Sequence, residues 1–402
     1  MSDIPPLAPL PLPAHPNLRH LKDQAKDLLK TGKAKTISQA QFEIARQYGF
    51  ASWPKLKAHL DSLEEIGQLK RAIDTEDTAR IKALMTENPA LHRAPLGYGK
   101  NGPLTWVAEC RVPWRPPSQE RLAIAEWMIE NGSDVHQGGD GPLMRAALNR
   151  DRITMMELLV ANGADVNDEW NGDFPILFAA CEAIDPVALQ WLLDHGAEPN
   201  CSRPGRSDSA LDYLIGAYVR SDELKDCIEI LLKAGGQTRF DLPGVLDILL
   251  GRLDVLARRL DEDADLKHRR FPELEFGSTG SRRLLLQGAT LLHVAAEYVS
   301  PRAVSLLLER GAAVNAHAAV DEAGVGGQTP IFHAVSQYDD KGLAVTKLLL
   351  DRGADLSIRV KLPGHYERPG EVVECTPLEY ALLFPGASGK TVALLQQRSG
   401  PK

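Results

Sequence analysis

Leu158-Leu159-Val160-Ala161-Asn162-Gly163-Ala164-Asp165-Val166-Asn167 is the stretch from which the rest of the chain can be read. Paired leucines are followed by glycine, a small residue, an acid and asparagine. The tag recurs upstream as Asn131-Gly132-Ser133-Asp134-Val135 and downstream as His195-Gly196-Ala197-Glu198-Pro199-Asn200. It returns as Ala234-Gly235-Gly236, Arg310-Gly311-Ala312-Ala313-Val314-Asn315 and Arg352-Gly353-Ala354-Asp355-Leu356. The first three glycines lie 31 and 33 residues apart, and the 76 residues from Gly235 to Gly311 hold two units, one of them degenerate. A fixed period of this size marks a repeat array.

Leucines precede each tag: Leu158-Leu159, Leu192-Leu193, Leu231-Leu232, Leu306-Leu307-Leu308 and Leu348-Leu349-Leu350. Further upstream lies a helix of small residues, as in Arg145-Ala146-Ala147, Phe178-Ala179-Ala180 and Val294-Ala295-Ala296. Alanines on the first helix allow close approach, and leucines on the second fill the space between units. A glycine after the second helix takes the left-handed conformation that ends it. One such pair cannot cover its own apolar face, so neighbours must stack. The expected fold class is all-α, a solenoid of helix-turn-helix units.

Gln328-Thr329-Pro330-Ile331-Phe332-His333-Ala334 and Ala289-Thr290-Leu291-Leu292-His293-Val294-Ala295-Ala296 resemble the T-P-L-H-x-A-A helix opening of the ankyrin-repeat family. The resemblance covers about residues 67 to 398, in about nine units, some degenerate. Gly102-Pro103, Gly141-Pro142, Phe174-Pro175 and Ser209-Ala210 stand at the Thr-Pro position, and the units near 67–92 and 243–268 keep only their helices. Thr offers an N-cap oxygen and Pro suits the first helical turn. The unit opening at Ser209 must take its cap from Ser209 or Asp208 and is expected to be among the looser ones. His293 falls on the family's T-P-L-H histidine, which the resemblance makes a structural residue bonded to nearby backbone.

Residues 1–16 are Pro-rich and are expected to be disordered. Residues 17–64 lack the repeat and read as an N-terminal helical cap, with Ser52 capping a helix near Pro54. The string Ala45-Arg46-Gln47-Tyr48-Gly49-Phe50-Ala51-Ser52-Trp53-Pro54-Lys55-Leu56 looks like a segment found ahead of ankyrin arrays in bacterial proteins, which implies a helical cap and a bacterial origin. Phe50 and Trp53 either form a recognition site or pack against the first repeat. The array proper is expected over 65–398, with long insertions at 111–118, 269–287, 316–328 and 360–375. Inter-unit loops of this kind carry function more often than not; here they bear Phe271, Phe276, His365 and Tyr366.

With 46 Lys and Arg against 54 Asp and Glu, the formal net charge is −8, which argues against a nucleic-acid partner. The arginine pairs Arg269-Arg270 and Arg282-Arg283 read as solvated surface. Cys110, Cys181, Cys201, Cys227 and Cys375 are scattered, with no C-x-x-C pair, and fit reduced thiols in a cytoplasmic protein. No apolar run is long enough for a membrane span, so no membrane partner is expected.

The resemblance places a row of residues on a binding groove: Trp106, Arg145, Phe178, Tyr213, His333 and Tyr380 before the first alanine position, and Glu109, Asn149, Glu182, Glu297, Tyr298 and Gln337 after it. Trp114 joins them from the first insertion. Catalytic signals are weak, and neither a catalytic residue, a metal site nor a cofactor is assigned. Phe384-Pro385-Gly386-Ala387-Ser388-Gly389-Lys390-Thr391 ends like a Walker A loop but has Phe384 where glycine is required. Gly277-Ser278-Thr279-Gly280-Ser281 reads as a flexible loop. Two functions stay open. The first is a non-enzymatic interaction protein holding a protein or peptide in the groove. The second is a small-molecule binder or unusual enzyme with a lidded pocket lined by Trp106, Trp114, Tyr213 and His333.

Overall fold

Helix starts in this chain are written in short polar side chains. In the computed structural model, which describes residues 10–13, 17–96, 98–172, 174–203, 208–216, 221–239, 241–271, 284–364, 368, 370–384 and 389–399, Asn17, Thr36 and Ser52 each accept a backbone N–H in the first turn of the helix that follows. The expectations resting on residues 1–9 and 14–16, Phe276, 277–281, Arg282, Arg283, His365, Tyr366 and Pro385 to Ser388 lie outside the described residues.

The chain divides into two units, Met1–Pro142 and Leu143–Lys402. The first opens with α1 (Leu18–Lys30), α2 (Ile37–Gln47) and α3 (Trp53–Asp74). Leu21, Ala25, Ala40, Ile44, Ala45, Leu56 and Leu60 form its small core, and Tyr48, Phe50 and Trp53 pack against that same cluster. Phe50 and Trp53 therefore complete the cap itself. α3 runs unbroken through positions 64 and 65, so it serves both as the last cap helix and as the first helix of a repeat with α4 (Thr78–Glu87). A second pair follows, α5 (Pro103–Glu109) and α6 (Gln119–Glu130).

Between α5 and α6 the insertion at 111–118 is tied down by Glu76. Arg115 (2.7 Å), Ser118 (2.9 Å) and the Arg121 Nε (3.0 Å) all donate to its carboxylate. Burial opposes ionisation of Glu76, but these donors outweigh it and hold the carboxyl below its ordinary range. Arg121, 2% exposed, also donates to the carbonyls of Ile73 and Val112.

Among its described residues the second unit carries seven pairs, the first helix of which begins at the boundary: α7 (Gly141–Ala147) with α8 (Ile153–Ala161), α9 (Ile176–Ala183) with α10 (Pro186–Asp194), and α11 (Ala210–Ile215) with α12 (Leu224–Lys233). Then come α13 (Val245–Leu249) with α14 (Leu253–Glu262), α15 (Leu291–Glu297) with α16 (Pro301–Glu309), α17 (Pro330–Val335) with α18 (Leu343–Asp351), and α19 (Pro377–Leu382) with α20 (Gly389–Arg398). One leucine of each second helix's pair or triplet is wholly buried: Leu159, Leu192, Leu231, Leu307 and Leu349. The alanines Ala179, Ala180, Ala295 and Ala296 are buried on the first helices. Gly163 (φ 98°) and Gly353 (φ 87°) take the left-handed conformation at the helix ends, as the tags require.

The tag's asparagine has a task beyond the turn. Asn167 donates to the Gly196 carbonyl (3.0 Å) and accepts the Glu198 N–H (2.9 Å). Asn200 does the same with Gly235 and Gln237, and Asn315 with Gly353 and Asp355. Each amide thus staples its own tag to the next.

The loops contain strand where the sequence shows only length. β1 (Glu169–Trp170) pairs with β2 (Phe174–Pro175), and β3 (Val360–Pro363) with β4 (Val372–Cys375), both antiparallel. Backbone bonds run within fingers, Phe271 to Ala289 and Gly327 to Ala319, and between successive ones, Ala319 to Gln287 and Gly326 to Lys361. The described parts of the insertions at 269–287, 316–328 and 360–375 therefore form a hydrogen-bonded ribbon.

Candidate binding site

Of the residues expected in a groove, three lie in the first unit. Trp106 donates to Asp74 (2.8 Å) beneath the Lys70 ammonium, 4.6 Å from its ring. Glu109 is buried and pairs with Arg111 at 3.4 Å. Trp114 is 61% exposed, with Arg111 5.8 Å from its ring.

In the second unit, Asn149 is buried and donates to the Arg145 carbonyl at 2.6 Å, while Arg145 is half-buried. Phe178, Tyr213 and Glu182 come together. Phe178 and Phe174 pack on the Tyr213 ring, Arg203 lies 4.8 Å above it, and the Tyr213 hydroxyl donates to Glu182 at 2.9 Å. Burial, and then the Glu182 carboxylate, push that hydroxyl's pKa up, so it stays protonated. Tyr380 is wholly buried between Phe332 and Phe384 and belongs to the core.

Glu297, Tyr298, His333 and Gln337 form the tightest group. The Glu297 and His333 side chains are both 0% exposed, with Glu297 Oε2 and His333 Nδ1 2.8 Å apart. Gln337 Nε2 donates to the carbonyls of Glu297 (3.1 Å) and His333 (2.7 Å). The Tyr298 hydroxyl donates to the Ile215 carbonyl. Helix ends leave carbonyls without intrahelical partners, and here Gln337 and Tyr298 satisfy those of α15, α17 and α11.

Glu297, Tyr298 and Gln337 also line a pocket of about 470 Å³ within the second unit. Its other walls are Ser221, Asp222, Leu224 and Lys225 at the start of α12, Ile248 and Leu249 on α13, Val299, and Lys341 after α17. α13, with five residues, is the shortest first helix of the second unit among the described residues, and it supplies two walls of the pocket. The expected pocket residues Trp106 and Trp114 belong to the first unit, and Tyr213 and His333 do not line this pocket. Sequence reasoning missed Lys225, Ile248, Leu249 and Lys341. The degeneracy of the 243–268 unit was the available signal.

His293 accepts the Thr290 N–H through Nδ1 (3.1 Å), and its Nε2 donates to the Gln328 carbonyl (3.0 Å) of the next unit. Burial, with His333 nearby, lowers its pKa to about 3, so the imidazole is neutral. In the Walker-like segment, Asp340 accepts the backbone N–H groups of Lys390 (3.0 Å) and Thr391 (2.8 Å). The amides that would cradle a phosphate are thus already bonded to a carboxylate. Burial opposes that charge, but the two amides hold the Asp340 carboxyl below its usual range. All five cysteines are free thiols, and burial, then the Glu198 carboxylate, pushes the least buried of them, Cys201, up to about 12. Among the described residues no helix is long and apolar enough to cross a membrane.

Matches to family patterns agree with this architecture. The family pattern for ankyrin repeats (3 copies) matches residues 118–203, and the single ankyrin repeat matches residues 287–319 and 326–361. The chain is 30% identical over 157 residues to the ADP-ribosylation factor GTPase-activating protein AGD2 of Arabidopsis thaliana, which takes in 38% of this chain and 18% of that protein. It therefore spans less than a fifth of that relative. Among solved structures, the human ASB11 ankyrin repeat domain is similar at 23% identity and a TM-score of 0.34, over 65% of this chain and 99% of that one. Paired helices of alternating alanine and leucine content, left-handed glycines, the T-x-x-H cap and the matched repeats identify the chain as an all-α ankyrin-repeat protein.

Proposed function

We propose that the chain is a non-enzymatic interaction module, and that its second unit holds a segment of a partner protein in the pocket between α12, α13, α15 and α17. The observation that carries this reading is the pocket itself. Its volume of about 470 Å³ suits a few side chains, and its lining mixes apolar Ile248, Leu249 and Tyr298 with exposed charge at Lys225 and Lys341. Among the titratable side chains of this unit, Glu297 pairs with His333 and Tyr213 with Glu182. The same volume also suits a small molecule, which is the competing reading.

Random peptides displayed on phage and panned on the full chain test the proposal. Selected peptides should lose at least tenfold in affinity for Leu249→Arg, which fills the pocket, while the variant melts as the parent does. Peptides that bind Leu249→Arg undiminished would remove the pocket from the reading.

A further inference from the structure

We propose that the pocket's occupant is an acidic peptide segment, an apolar side chain seated on Ile248, Leu249 and Tyr298 and flanked by carboxylates that reach Lys225 and Lys341. The proposal rests on the preceding reading and adds the chemistry of the guest.

The argument is an inventory of donors and acceptors. Four acceptors around the pocket are already served from within: the Glu297 and His333 carbonyls by Gln337 (3.1 and 2.7 Å), the Ile215 carbonyl by Tyr298, and the Glu297 carboxylate by His333 (2.8 Å). Two donors are not. Lys225 and Lys341 line the pocket, are exposed, and form no ion pair with a described residue. Among the described lining residues, Asp222 is the one exposed acid. A guest that supplies acceptors completes the set. A guest that supplies cations meets two ammonium groups and finds the carbonyls occupied, and like charges brought together at a desolvated surface oppose binding. Leu224, Ile248, Leu249, Tyr298 and Val299 supply the apolar floor that gives a carboxylate-bearing chain its anchor.

Fluorescein-labelled eight-residue peptides of one apolar pattern test this by anisotropy on the full chain: one with Asp and Glu at the flanking positions, one with Lys, one with Ser. The acidic peptide should bind at least tenfold more tightly than the other two, and weaken as salt rises. Lys225→Glu with Lys341→Glu should lose that preference and favour the Lys peptide, with the thermal transition unchanged. Lys225→Ala alone should give a partial loss. Equal binding of all three peptides, or a double variant that still prefers the acidic one, would overturn the acidic guest. The pocket reading would survive in that case if binding still depended on Leu249. Binding of no peptide would defeat both. Full displacement of the acidic peptide by free adipate, at the affinity of the peptide itself, would reassign the site to a small carboxylate and overturn the peptide proposal.

Discussion

The start of α15 and the start of α11 solve one problem with opposite polarity. At α15, His293 stands three residues after the cap Thr290, accepts its N–H and donates onward to the Gln328 carbonyl. At α11, Asp212 stands three residues after Ser209, accepts its N–H (3.0 Å) and also accepts the Arg239 N–H (2.9 Å) of the next finger. Both side chains are 0% exposed. Each thus joins its own cap to the following unit, one by giving a hydrogen to a carbonyl and the other by receiving one from an amide. The cap position demands a side chain that accepts locally, and the facing backbone group decides whether its far side must donate or accept.

The sharpest way to break this comparison is to exchange the polarities. His293→Asp would set a carboxylate against the Gln328 carbonyl in a buried site. It should cost about 3–5 kcal/mol, more than His293→Ala at about 2–4, in urea unfolding. Asp212→Ala should cost about 1–3 kcal/mol, because the buried Ser209 N–H and the part-buried Arg239 N–H lose their acceptor. If His293→Asp proved as stable as the parent, the polarity argument would fail.

A pH titration of stability separates the two sites next. The folded pKa of His293, about 3, lies below its unfolded value near 6.5, so the unfolded chain binds the proton first as pH falls. Its contribution is complete above pH 6.5 and is lost progressively on the way down to pH 3. At pH 4.5 it should have cost about 2–3 kcal/mol, and His293→Gln should lack that slope. An unchanged acid limb in the variant would show that His293 is protonated in the native state.

Much of this was legible beforehand, and the illegible part has a physical reason. Gly163 and Gly353 announced their left-handed turns because few other residues accept that backbone. Ser209 was readable as a cap, but its unit was expected to be loose, whereas the capping box with Asp212 is complete. Asp212 escaped notice because a family pattern that places histidine there says nothing of an acceptor doing the same work. The groove residues were chosen by repeat position alone. That gathers Glu297, Tyr298, His333 and Gln337 in one place but also includes Tyr380, which is core. Two of the pocket's walls, Ile248 and Leu249, lie on α13, whose degenerate sequence gives no boundary from which to place them.

Two smaller tests refine the contrast. Asn315→Ala, at the tag after α16, and Asn200→Ala, at the tag before α11, should each cost about 1 kcal/mol if the staples are equivalent. A loss at one site alone would mean that packing, not the staple, holds the other joint. The smallest effect is expected at the turn between α15 and α16, where Val299 holds φ 50°. Left-handed backbone disfavours a β-branched residue, so Val299→Asn should raise stability by up to about 1 kcal/mol in thermal melts. A fall instead would show that Val299 contributes more through packing than its backbone costs.

The staples have a consequence for how force travels through the second unit. Arg239 stands four residues after Gly235, where Asn167, Asn200 and Asn315 stand after their own glycines, so the asparagine staple is missing there and an exposed Arg269–Asp241 pair (3.1 Å) stands in its place. Pulled end to end, a one-dimensional array yields first at its weakest coupling. The pocket spans this joint, with Lys225 on one side and Tyr298 and Lys341 on the other. A guest seated there would act as a rivet across the gap, and the load at which the unit comes apart would report its arrival.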